Sequence, residues 1–93
     1  MKSKMRNYFF EVKLKKKLSI LFKKDNRRYF ILMKKIEEIL ATDNVDHYKN
    51  LRKPLQDYKR VHIDAHFVLI FKYDNSKDTV YFYDLDHHDN IYK

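Results

Sequence analysis

Five histidines stand in a chain of 93 residues, at His47, His62, His66, His87 and His88. None lies in a stretch of helical periodicity. An imidazole titrates at about pH 6.5, so it can give or take a proton under ordinary conditions and is the usual general acid or base. Arg60, Lys59 and Lys53 stand close by in the sequence. Cleavage of an RNA phosphodiester needs a base for the attacking 2′-hydroxyl, an acid for the leaving 5′-oxygen, and positive charge for the phosphorane-like transition state. The histidines and these cations supply all three. Each residue also has a plainer role: His62 as a polar residue on a strand surface, His47 in a polar loop, His66 in a turn before Phe67, and Tyr92 as an aromatic that ties down the terminus. HHDNIYK (87–93) could be no more than a solvated tail.

A metal site competes for the same residues. DLDHHDN (84–90) gathers carboxylates and imidazoles, and His62 and His66 are four apart. Residues four apart share a face only in a helix, however, and HIDAHF reads as a strand entering a tight turn. An EF-hand loop would require its central Gly and terminal Glu, and both are missing. The spacing therefore favours neither a metal nor any other cofactor.

Composition narrows the classes. Lysine and arginine number 21 against 13 acidic residues, giving a formal charge of +8 and a pI near 9.6. That balance suggests a polyanionic partner, because phosphate contacts dominate nucleic-acid affinity. Part of it could be compositional bias, and Lys15 to Lys17 could be a solvated helix face. The chain has no Cys, so it has no disulfide framework or thiolate site. It has no Gly, which removes every glycine-dependent phosphate cradle. No run approaches the roughly 20 apolar residues of a membrane span, and the apolar run after MKSKMR is too short for a signal peptide. The expectation is one cytoplasmic domain over residues 1–93, too small for an active site between two domains.

These residues must be positioned by a small set of elements. Tyr8 to Val12 read as a strand. Leu14, Leu18, Leu21 and Phe22 recur at helical spacing among lysines. Asp25 and Asn26 break that helix and offer an N-cap to a second, which runs to about Ala41 with Tyr29, Met33, Ile36 and Leu40 as its apolar stripe, widened by Phe30 and Ile39. Residues 42–54 read as a loop. Alternation follows in YKRVHI (58–63), where Val61 and Ile63 point one way and Tyr58, Arg60 and His62 the other. FVLIFKY (67–73) reads as a central strand, DNSKD (74–78) as a turn, and TVYFYDL (79–85) as a last strand. The expected fold is α+β, β-α-α-β-β-β, with a helical hairpin on one face of a twisted antiparallel sheet. Its uncovered face would carry Arg60 and His62.

The segment HYKNLRKPLQDYKRVHIDAHFVLIFKYD, followed by a strand and then HHDNIYK, resembles the RelE/ParE superfamily of toxins, closest to its YafQ-like branch of RelE ribonucleases. The resemblance covers most of the chain, and its motif-bearing part is about residues 47 to 92. It implies a metal-independent mRNA interferase that enters the ribosomal A site and cuts mRNA by 2′-hydroxyl attack. It also implies an acidic antitoxin that wraps the basic surface. Carried over by position, His47, His62 and His88 match the family's histidines, Arg60 its strand arginine, and Tyr92 its terminal aromatic. His66 stands where an acidic residue is common and Phe67 where tryptophan is, so the base is His62 or His66, with Asp64 as a further participant, and His88 is the acid. Two alternatives use the same scaffold: a ParE-like inhibitor of gyrase, which the histidines argue against, and a basic RNA- or ribosome-binding module without turnover.

Overall fold

The computed structural model describes residues 5–91. The chain runs β1 (Asn7–Phe10), α1 (Val12–Lys24), α2 (Asn26–Ala41), a 3-10 turn (Val45–His47), β2 (Lys59–His62), β3 (Phe67–Asp74), β4 (Thr79–His87) and α3 (His88–Ile91). The expected β-α-α-β-β-β order is present, extended by the short terminal helix. Leu14, Leu18 and Leu21 line one face of α1 and turn it toward the sheet. Asp25 both ends α1 and starts α2: its N–H reaches the Leu21 carbonyl at 2.8 Å, and its side chain accepts the Arg28 N–H at 3.2 Å. The buried stripe of α2 is Leu32, Ile36, Ile39 and Leu40. Tyr29 and Met33 only flank it, and Phe30, expected to widen it, faces outward at 59% exposure. The stripe is thus turned by about one residue from the expected one, because Leu32 shares a 3.6-residue face with Ile36 and Ile39 and Phe30 does not.

The four strands lie in the order β1-β4-β3-β2. The β2–β3 and β3–β4 pairs are antiparallel, but β1 pairs with β4 in parallel, so the sheet is mixed and not wholly antiparallel as expected. The path of the helices explains this. α1 continues past the end of β1 beside the second half of β4, where Lys17 reaches the Leu85 carbonyl at 2.8 Å. α2 then returns, and the Arg6 N–H meets the Leu40 carbonyl at 3.2 Å. β2 therefore starts from the end where β1 started, and two hairpins later β4 runs the same way.

β1 stops at Phe10 opposite Phe82, which leaves residues 83–87 without a strand neighbour on that side. α1 closes this edge. Lys17 sits 2.8 Å from the Asp84 carboxylate, and Lys13 lies 3.6 Å from the same group and 3.9 Å over the Tyr83 ring. A charged cover of this kind prevents further strand pairing.

The main core joins Leu14, Leu32, Ile36 and Ile39 to Val80, Phe82, Leu69, Phe71 and Ile63. Burial of each large side chain contributes about 1.5–3 kcal/mol. Val61 packs against this cluster and Ile63 belongs to it, as the alternation in β2 requires. The other sheet face is not bare as expected. Leu51, Val68 and Ile70 form a second small cluster there with Tyr58 and Tyr83 beside it, because the loop before β2 folds Leu51 onto the sheet.

That loop is fixed by Lys59. Its side chain is buried, and Nζ donates to the Tyr48 carbonyl and to Asn50 Oδ1, each at 3.2 Å, with Asp46 3.7 Å away. Leu51 and Tyr58 pair backbone to backbone at 2.8 Å beside it. Replacing Lys59 with Met should strand both acceptors and lower unfolding free energy by about 1–3 kcal/mol. Urea titration checks this, and an unchanged midpoint would refute the structural role.

Candidate active site

Residues 63–66 join β2 to β3, and Asp64 organises that turn. One carboxylate oxygen accepts the N–H groups of His66 at 2.8 Å and Phe67 at 2.9 Å, as aspartate does in tight turns. The other accepts Arg28 Nε at 2.8 Å. Arg28 also bonds Asp25 at 2.6 Å, and its guanidinium lies 4.5 Å over the Phe67 ring. The start of α2 is thereby fastened to the β2–β3 turn. Burial pushes the Asp64 carboxyl up, but the Arg28 hydrogen bond and the two backbone N–H groups outweigh it and hold the group below the ordinary carboxylate range.

The C-terminal segment arrives at the same end of the sheet. Phe67 and His87 are opposite one another in the β3–β4 register. Asp86 accepts the His87 N–H at 2.8 Å and the Asn90 side-chain amide at 2.9 Å, which closes the chain into α3. Burial raises the Asp86 carboxyl, yet these two bonds, with Lys17 and His87 nearby, bring it below its usual value. His87 Nδ1 accepts the Asp89 N–H at 3.2 Å. The decisive link is the His88 N–H, which donates to the His66 carbonyl at 2.7 Å.

Four imidazoles converge as a result. The rings of His62 and His88 lie 5.3 Å apart, and those of His66 and His87 lie 6.0 Å apart and stack. Phe67 meets the His87 ring edge-on at 5.4 Å. Arg60 stands two residues before His62 on the same strand, opposite Ile70 of the second cluster. The arrangement brings together two imidazoles able to exchange protons, with a guanidinium on the same strand face.

The remaining sequence candidates fall elsewhere. His47 is exposed in the 3-10 turn, with its ring 4.0 Å from Tyr48 and Nδ1 at the Asn44 carbonyl. Among the described residues no contact joins it to the other imidazoles. Lys53 is exposed in the loop before β2. Lys59 shares its side of β2 with Val61 and Ile63 and is held inside by Tyr48 and Asn50, away from the Arg60–His62 face. Asp64 and Phe67 are packed supports of the turn. Tyr92 lies outside the described residues. Reading the sequence missed Arg28, Asp86 and His87. His87 was visible as half of the HH pair, whereas Arg28 carried no local signal, since its partner is 36 residues away.

The fold is shared with one class of proteins, the RelE-like toxins. The chain matches no protein-family model. It is 56% identical over 80 residues to the candidate toxin RelE4 of Methanocaldococcus jannaschii, covering 86% of this chain and 83% of that one. This chain therefore belongs to the RelE/ParE toxin superfamily. Two solved structures share its fold at low identity. A chain of the toxin–antitoxin complex RelBE2 from Mycobacterium tuberculosis superposes with a TM-score of 0.73 and 18% identity, covering 94% of this chain and 95% of that one. YafQ of Escherichia coli gives 0.64 and 15%, covering 95% and 99%.

The Asp64 clamp makes a pH prediction. A carboxyl whose folded pKa lies below its unfolded value adds stability above the unfolded pKa, about 3.9, and loses it as pH falls through the folded value. Asp64→Asn should cost about 1–2 kcal/mol at pH 7 and should flatten the acid limb of the stability curve. An Asp64 side chain titrating by NMR at or above the ordinary aspartate value would contradict the clamp.

Proposed function

We propose that this chain is the toxin of a type II toxin–antitoxin pair and that it cleaves mRNA on the ribosome. The observation that carries the reading is the pairing of the His62 and His88 rings at 5.3 Å in a RelE-like fold, with Arg60 on the same strand face. His62 is the base in this scheme: it takes the proton of the 2′-hydroxyl as that oxygen attacks the adjacent phosphorus. His88 is the acid and gives a proton to the departing 5′-oxygen. The products are a 2′,3′-cyclic phosphate and a 5′-hydroxyl, so protons and bonds balance without a metal. Arg60 offsets the charge gained by the phosphorane. His62 is preferred to His66 as base because the His66 ring stacks on His87 and not on His88.

Asp64 and Phe67 act in this scheme by holding the turn that presents His66, and Lys53 and His47 remain candidates for contact with RNA at the rim. The partner that silences the toxin is an acidic antitoxin, a role supported by the formal charge of +8 and by the RelBE2 complex among the structures of the same fold. Such a partner folds on the basic surface as it binds.

Programmed ribosomes incubated with the purified protein provide the test. Wild type should cut mRNA and leave 5′-hydroxyl ends. His62→Ala and His88→Ala should each lower the rate by about 10²–10⁴-fold. Ribosome binding with no cleavage by wild type would refute the enzyme and support a non-catalytic module.

A further inference from the structure

We propose that the tyrosine-walled groove on the sheet face away from the helices, between Tyr81 and the Tyr58–Tyr83 pair, takes one base of single-stranded RNA. The proposal rests on the ribonuclease reading of the same face and adds a substrate subsite to it.

The groove has a volume of about 600 Å³, and Tyr58, Lys72, Asn75, Ser76, Tyr81 and Tyr83 are among the residues that line it. That volume is in the range of small-ligand sites. On the β1 side Tyr81 is stacked on Phe9 at 5.6 Å with the rings 11° apart, so the pair forms a single flat wall. On the β2 side Tyr58 and Tyr83 lie 4.9 Å apart. The Phe9 ring remains 61% exposed although it sits on a strand, and the main core does not require it.

Cations accompany the rings. Lys72 stands opposite Tyr81 in register with its ammonium 5.8 Å from the Tyr58 centroid, and Lys13 lies 3.9 Å over Tyr83. Aromatic faces interleaved with ammonium groups are how proteins hold single-stranded nucleic acid without reading its sequence. Two carboxylates also line the groove, Glu11 and Asp74. Asp74 is engaged by the Ser76 N–H and hydroxyl and the Lys77 N–H, which holds its carboxyl low. These groups oppose insertion of an acidic peptide, whereas a neutral base can enter between the rings while its phosphates lie on the cationic side.

Strand geometry sets the distance to the proposed chemistry. Arg60 and His62 share one face of β2, about 6.7 Å apart at the rise of an antiparallel strand, and Tyr58 stands just before that strand. A base in the groove thus puts the following phosphate near Arg60 and the next toward the His62–His88 pair. The polarity of that line, one aromatic, one guanidinium and one imidazole, matches a base, a phosphate and a scissile phosphate in succession.

Fluorescence anisotropy with a short 2′-O-methyl oligouridine, which lacks the attacking hydroxyl, tests the groove without cleavage. Tyr81→Ala should weaken binding by about 5- to 100-fold, and Tyr81→Trp should keep it near wild type. A probe with abasic sites in place of its bases should bind wild type more weakly and erase the difference between wild type and Tyr81→Ala. If Tyr81→Ala loses its cooperative thermal transition, Lys72→Ala on the exposed rim serves instead, weakening binding and lowering the salt slope by about one. Equal affinity of variant and wild type, or no measurable binding by wild type, overturns the subsite. So does weakened binding of a poly-glutamate peptide with RNA binding unchanged, which would assign the groove to a protein partner. A wild-type chain that binds the probe through the groove but cuts no ribosomal mRNA defeats the ribonuclease reading alone.

Discussion

A single backbone hydrogen bond, from the His88 N–H to the His66 carbonyl, joins two segments that the sequence separates by 22 residues. It carries the β3–β4 register, in which Phe67 lies opposite His87, one step further, and so fixes the β2–β3 turn and the C-terminal helix, with the imidazoles they carry, against each other. Each side of the bond has its own support. Asp64 closes the turn and is held by Arg28 from the helical layer, while Asp86 closes the terminal helix through His87 and Asn90. Both carboxyls are held below their ordinary range, so each remains an acceptor at neutral pH. Two carboxylates thus act as scaffolding for the segments that carry the imidazoles.

The helical layer and the Arg60–His62 side chains lie on opposite faces of the sheet. α1 and α2 fill one face with leucine and isoleucine, and Lys13 and Lys17 of α1 reach around the open edge of β4 to Asp84 and Tyr83. Among the described residues the other face carries a small apolar cluster around Val68 and Ile70, with Tyr58 beside it and Arg60 and His62 further along. The positive charge that gives the chain a formal +8 is thus partly structural, as at Lys59 and Arg28, and partly displayed.

Much of this was legible in the residues. Val61 and Ile63 had to share a face because strands alternate, and that placed Arg60 and His62 together on the other one. Asp25 ended one helix and capped the next because aspartate accepts the first N–H groups of a helix. The parallel pairing of β1 was not legible, since it depends on α1 continuing beyond the strand and on Leu40 returning to Arg6, contacts between residues far apart. Lys59 looked like a cation for RNA because sequence alone cannot show that Tyr48 and Asn50 enclose its ammonium. Phe30 looked like core because a helix with two adjacent apolar faces does not announce which one meets the sheet.

The central claim is that His62 and His88 stand side by side, and an NMR nuclear Overhauser experiment on their ring protons tests it most directly. With ring centroids 5.3 Å apart the account predicts a cross-peak between the two imidazoles in the free protein. A His88 ring with cross-peaks only to its immediate sequence neighbours would contradict it, because the terminal segment would then not pack against β2.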